Sequence, residues 1–121
     1  MGVTKRIPIA DWETYFERFA ARHLGRRAPK TATVEILSPR PGDQLDARAA
    51  RLLDLGYDPK SHAFEVLLEN MDHLVFHPAD IWVIEEDGGF ISVLELVRVD
   101  GTKEIIHLQR SGVPALRYEL P

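Results

Sequence analysis

Apolar residues recur three and four positions apart between residues 11 and 24, the spacing of one face of a helix. Four aromatic side chains share that face: Trp12, Tyr15, Phe16 and Phe19. Asp11 suits the N-cap position, and Gly25 suits the first position beyond the C-terminus. A helix this short and this aromatic on one side must pack against an apolar surface. The pattern therefore predicts one docked N-terminal helix.

Beyond residue 30 the period changes from helical spacing to alternation, which is typical of strands. Turn residues (Gly, Pro, Asp and Asn) separate the alternating segments. The segments are 31–38, 62–69, 73–77, 80–86 and the two arms within 90–109. Asp100 and Gly101 are predicted to form the two-residue turn of the last hairpin.

The segment "DQLDARAARLLDLG", residues 43–56, fits two structures. Its Ala, Arg and Leu residues favour a helix by propensity. The same residues also alternate tolerably, as a strand requires. From the residues alone, propensity favours the helix and the alternative stays open.

The elements together predict an α+β fold. One N-terminal amphipathic helix, about 11–24, packs on a bent antiparallel sheet or small open barrel of six or seven strands, with an Sm-like layout as one form. The chain is expected to be a single domain over residues 1–121, with a β-rich body at about 31–110. The tail, 111–121, is expected to pack along the body or to be flexible.

Composition excludes several classes of protein. Apolar residues make up 45% of the sequence, enough for a folded core and too many for a disordered chain. The sequence contains no cysteine, which excludes disulfides, zinc–thiolate sites and thiol catalysis. No apolar run approaches the ~18 residues of a membrane helix, and the N-terminus lacks the apolar region of a secretory signal. A soluble cytoplasmic protein is expected.

Charge is unevenly distributed along the chain. Residues 1–30 carry seven Lys/Arg against three acids, whereas residues 31–121 carry eight against sixteen. A run without acids holds the candidate polyanion-binding residues: Arg18, Arg22, Arg26, Arg27 and Lys30. Such a cluster can bind nucleic acid, or it can lie against the acidic body or in solvent. The sequence pI of about 5.7 argues against a general nucleic-acid binder.

The histidines are the candidates for chemistry. His73 and His77 are four apart, but the Val and Phe between them and the proline after them favour a strand, which separates the two by roughly 13 Å. They therefore cannot share one metal ion. A metal or acid–base site would need side chains from different strands, and its candidates are His62, His73, His77 and His107 with Asp72. The sequence also lacks the motifs GxSxG, GxxxxGK and GxGxxG. No catalytic residue, metal ligand or cofactor is predicted, and the protein is expected not to be an enzyme.

Three segments resemble a bacterial family of domains of unknown function, family 5335. They are "RIPIADWETYFERF", "GYDPKSHAFEVLLENMDHLVFHPADIWV" and "LELVRVDGTKEIIHLQ", and the resemblance runs from about Ile7 to Gln109. It implies that the 44–55 region is a strand. It carries over no activity and no functional residues.

A second resemblance concerns layout. "FEVLLENMDHLVFHPADIWVI" is similar to the last strands of the Sm-like RNA chaperone Hfq. The chain departs from that pattern after Glu86, where an extra hairpin follows. Phe76, His77 and Pro78 also stand where that family has tyrosine, lysine and histidine, so the phosphate-binding lysine is missing.

The sequence therefore favours a non-enzymatic protein-interaction module that contacts another protein or forms a homo-oligomer. The alternative is an Sm-like protein that binds RNA or another polyanion through the basic N-terminal helix. A histidine-based metal or acid–base site is the third hypothesis. No membrane partner is expected.

Overall fold

The protein is described by a computed structural model that covers residues 2–25, 30–38, 44–46 and 49–110. A short 3₁₀ turn, Ile9–Asp11, leads into the helix α1, Trp12–His23. The strands are β1 Val3–Arg6, β2 Lys30–Leu37, β3 Gln44–Asp46, β4 Ala50–Asp58, β5 Ala63–Leu68, β6 Met71–Phe76, β7 Asp80–Glu85, β8 Ile91–Val97 and β9 Lys103–Arg110. No helix in these ranges is long and apolar enough to cross a membrane. The predicted tail, 111–121, lies outside the described residues.

All the strand pairs are antiparallel and belong to one sheet. The path through the sheet is β1-β7-β8-β9-β2-β4-β5-β6, and β3 pairs with β2 beside that path. Within the described ranges β1 and β6 do not pair, so the sheet is not closed. One helix on an antiparallel sheet confirms the predicted α+β class, but the sheet has more strands than the six or seven predicted.

The additional strand β1 was not predicted because its sequence has no buried side. All four of its residues are exposed. It forms because the edge of β7 offers unpaired backbone groups, with Val3 opposite Glu85 and Arg6 opposite Trp82. Backbone pairing rather than apolar burial therefore holds this strand.

In the ambiguous 43–56 segment the structure describes two strands, Gln44–Asp46 and Ala50–Asp58, so the helix favoured by propensity is wrong. Residues 43, 47 and 48 lie outside the described residues. Burial decides the conformation: Ala50, Leu52 and Leu55 are buried in the core. The register of β4 on β5 shifts between Leu52 and Asp54, a bulge that breaks strict alternation. The helical propensity of the Ala, Arg and Leu residues is overridden by their burial in the sheet.

The predicted docked helix is confirmed and begins at Trp12. Phe16 is fully buried and packs edge-on against Phe64 of β5, with ring centroids 4.8 Å apart. The indole Nε1 of Trp12 donates a hydrogen bond to the carbonyl oxygen of Ile7 at 2.9 Å. The aromatic face of the helix therefore covers the β4–β5 side of the core.

The last hairpin turns at the predicted place but with a longer loop. Val97 pairs with Lys103, and the amide of Arg98 donates to the carbonyl of Thr102 at 2.8 Å. Three residues, rather than the predicted two, form the loop. Gly101 has a φ of 90°, which glycine adopts without steric cost.

Candidate interaction surface

The outer face of β4, β5 and β6 forms a grid of nine residues. Residues directly opposite one another in antiparallel strands share a face, so the register defines three rows. The rows are Asp54–Leu67–Asp72, Gly56–Glu65–Leu74 and Asp58–Ala63–Phe76. We call these nine residues the acidic face, because four of them are carboxylates and none is Lys or Arg.

The floor of the acidic face is apolar and open. Leu74 is 40% exposed and Phe76 is 56% exposed, which is unusual for large apolar side chains on one strand. They line a cavity of about 460 Å³ together with Gly56, Tyr57 and Glu65 among others. A Cβ atom added at Gly56 would meet no atom within 4 Å. The cavity therefore has room for side chains from another molecule.

The carboxylates of this face repel one another. A hydrogen bond with Asp72, partial burial, and the negative charges of Asp72 and Asp54 raise the pKa of Glu65. A positive charge placed between these groups would relieve the repulsion. The electrostatics of the face therefore favour a cation.

A buried ionic cluster lies behind β6. The side chain of Glu104 is fully buried in the core. Its Oε1 contacts His73 Nε2, and its Oε2 accepts a hydrogen bond from Arg98 Nη2. The cluster therefore ties β6 to the β8–β9 hairpin across the interior of the sheet.

The charges of this cluster stabilise one another. Burial raises the pKa of Glu104, but the hydrogen bond from His73 and the charges of His73 and Arg98 outweigh it, and the pKa is lowered overall. The sequence interpretation missed Glu104. On β9, Glu104 lies two and four residues before the buried Ile106 and Leu108, so its side chain points to the same side of the sheet. A charged residue in this series of buried positions was the signal that could have identified it.

The candidate histidines do not converge on one site. The rings of His62 and His77 stack at 5.1 Å, and both residues have positive φ, 56° and 52°. His73 contacts Glu104, whereas His107 Nε2 lies 3.8 Å from Glu35 Oε1. The part of the chain that the structure describes contains no group of three potential metal ligands. Thus the structure does not assemble the candidates, Asp72 included, around one ion.

The candidate basic residues do not form one exposed surface in the described ranges. Arg18 and Arg22 are exposed on α1, but Lys30 is 6% exposed. Burial and the nearby charge of Arg110 lower the pKa of Lys30. Arg26 and Arg27 lie outside the described residues.

Comparison with known proteins connects the chain to relatives. The model of a family of unknown function, DUF5335, matches residues 3–114. An uncharacterized protein of Aquifex aeolicus (strain VF5) is 38% identical over 108 residues, which covers 88% of this chain and 92% of the relative. No solved structure matches, so the resemblance to Sm-like proteins stays a prediction. With nearly the whole chain covered by both matches, this protein belongs to the DUF5335 family of unknown function.

Proposed function

We propose that this protein is a non-catalytic protein-interaction module and that its contact surface is the acidic face together with the edge of β6 that no described strand pairs with. The observation that carries the proposal is the exposure of Leu74 and Phe76 on a strand at the end of the sheet. Exposed apolar side chains beside unpaired backbone groups are a typical site for binding another chain.

The two ends of the sheet differ in a way that supports this choice. At the β1 end, Lys5 pairs with Glu85 and Arg6 pairs with Asp80, with nitrogen–oxygen distances of 2.9 and 2.7 Å. Charged side chains on an edge strand discourage pairing with other chains. β6 instead presents Leu74 and Phe76. Although β6 also carries the charged Asp72, it is the less protected of the two end strands in the described residues and therefore the better interaction site.

We also propose that the protein catalyses no reaction and binds no cofactor. In the buried cluster of Glu104 with His73 and Arg98, the carboxylate is fully buried and contacts its two partners. These contacts hold β6 in position, so we assign the cluster a structural role. We expect the partner to be met in the cytoplasm, the location predicted from the sequence.

Site-specific photocrosslinking in the native host tests this function. A photoreactive amino acid at position 76 should give covalent adducts with one other protein, or with a second copy of this chain. The same amino acid at position 17, which is exposed on α1, is the matched control. Adducts at position 76 and not at 17 support the interaction module. Equal adducts at both positions, or none at position 76, contradict it.

A further inference from the structure

The direction of the backbone groups of β6 defines what this edge can bind. The amide of His77 donates to the carbonyl of His62 on the neighbouring chain segment at 2.7 Å. Backbone direction alternates along a strand, so Val75 and His73 also face β5. Asp72, Leu74 and Phe76 consequently direct their amide and carbonyl groups away from the sheet. No described strand pairs with that side.

The side chains of those same three residues point onto the acidic face. A strand added beside β6 would thus place its side chains next to Asp72, Leu74 and Phe76, about 5 Å away. A Lys or Arg beside Asp72 would also reach toward Glu65, its neighbour on the face. An apolar side chain beside Leu74 and Phe76 would cover the exposed floor.

A second copy of this chain is a poor occupant of the edge. If two β6 strands paired antiparallel about Leu74, each Asp72 would lie opposite Phe76 of the other copy. The two acidic faces would then join into one surface with twice the carboxylates and no added cation. Charge complementarity therefore favours a different protein with a basic segment.

We infer that β6 receives an extended, cationic segment of another protein, which adds to the sheet as a strand. The segment carries Lys or Arg where it meets Asp72 and Glu65, and an apolar side chain where it meets Leu74 and Phe76. This inference rests on the proposed interaction function and specifies the chemistry of the partner.

Peptide binding tests the inference. The probe is a short labelled peptide, Lys-Thr-Val-Thr-Val-Thr-Lys, whose Lys and Val side chains lie on one face of an extended strand. In either strand direction it presents Lys to Asp72 and Val to Leu74 and Phe76. Binding is measured by fluorescence anisotropy at low salt. One control peptide has Glu in place of Lys. A second keeps every Lys but carries N-methyl groups on alternate backbone nitrogens, which removes the donors that pair with β6. Only the first peptide should bind, and its affinity should fall as salt is raised.

Variants of the protein separate charge from edge pairing. Removing two carboxylates with Asp72→Asn and Glu65→Gln should weaken binding about five- to tenfold, as expected for two solvent-accessible ion pairs. Leu74→Pro removes a backbone N–H group that points away from β5. The β5–β6 pairing is therefore retained, but the incoming strand loses one hydrogen-bond donor on β6. Glu17→Gln on α1 is the control and should bind as the wild type does.

Hydrogen exchange supplies the readout that locates the peptide. The amides of Asp72, Leu74 and Phe76 should become protected when the peptide binds, whereas those of His73 and Val75 should change little. This alternation, with preference for the Lys peptide, supports the inference. No binding at low salt, unchanged affinity in the carboxylate variants, or binding without protection of β6 overturns it.

The peptide and crosslinking results separate the two proposals. Crosslinks at position 76 in cells without binding of the Lys peptide support the interaction module and overturn the cationic strand. The opposite result is peptide binding that protects the amides of Asp72, Leu74 and Phe76, without crosslinks at position 76 in cells. It would support the proposed binding of a cationic strand and contradict the proposed interaction function in cells.

Discussion

Replacing Glu104 with Gln tests the role of the buried ionic cluster. The substitution keeps the shape of the side chain and removes its charge. Its amide can accept a hydrogen bond from one of the two partners, but its NH₂ group then faces the donors of the other. Removing one partner from a buried ion pair costs about 3–5 kcal/mol. We expect the low end, ~3 kcal/mol, because the side chains of His73 and Arg98 are 14% and 37% exposed and can regain water.

Urea unfolding, followed by far-ultraviolet circular dichroism, measures this loss. The free energy of unfolding should fall by ~3 kcal/mol with little change in the dependence on urea concentration. For a domain of this size the melting temperature should fall by roughly 12 °C. Glu17→Gln, an exposed change of the same chemistry, should stay within about 0.5 kcal/mol of the wild type. A Glu104→Gln protein as stable as that control would refute the argument that the carboxylate is a charged partner in the core.

The pH dependence gives an independent check on the same residue. The pKa of Glu104 is lowered by folding, and its unfolded value is about 4.3. Its contribution to stability is therefore complete above the unfolded pKa and is lost as the pH falls through the folded pKa. The difference in unfolding free energy between wild type and Glu104→Gln should shrink as the pH falls below the unfolded pKa of the carboxyl group. A difference that grows on acidification would mean that the cluster does not favour the ionised carboxylate.

Two further predictions concern packing and backbone geometry. Phe16→Ala should lower the free energy of unfolding by about 3–5 kcal/mol because the ring is fully buried against Phe64. The control Phe76→Ala, at a ring that is 56% exposed, should lower the free energy of unfolding by under about 1 kcal/mol. Equal losses for Phe16→Ala and Phe76→Ala in urea unfolding would contradict the docking of α1. Gly101→Ala should cost about 1–2 kcal/mol because position 101 has a φ of 90°. Thermal unfolding measures this loss. In that assay Gly25→Ala, at a position with open space and no positive φ, should be nearly neutral. A neutral Gly101→Ala would exclude the turn described.

The predictable part of the fold is the part where local pattern and burial agree. The helix was predicted because four aromatic side chains share one face and that face is the one that packs. The hairpin at Asp100–Gly101 was located because Gly is needed there, although its loop length was wrong. In contrast, β1 has no buried side, so no apolar pattern could reveal it.

The candidate surface depends on register, which the sequence does not show. Asp54, Asp58, Glu65 and Asp72 are spread over three segments, and only the pairing of β4, β5 and β6 places them on one face. The bulge after Leu52 moves Asp54 onto that face. Glu104 differs, since its parity with Ile106 and Leu108 was readable from the sequence and was overlooked.

The position of β9 has a consequence for how this protein is made. Strand β9, the last described strand in the chain, lies between β8 and β2 and so joins two groups of strands that otherwise have no shared partner. A nascent chain that has not yet delivered residues 103–110 from the ribosome can form the β7–β8 and β5–β6 hairpins but cannot join the two groups. Folding must then bring together residues such as Val34 and Ile106, which are 72 positions apart in the sequence (106 minus 34). Such distant pairing is slow, on the order of milliseconds to seconds. Until residues 103–110 emerge, the edges of β8 and β2 that pair with β9 in the folded protein stay uncovered.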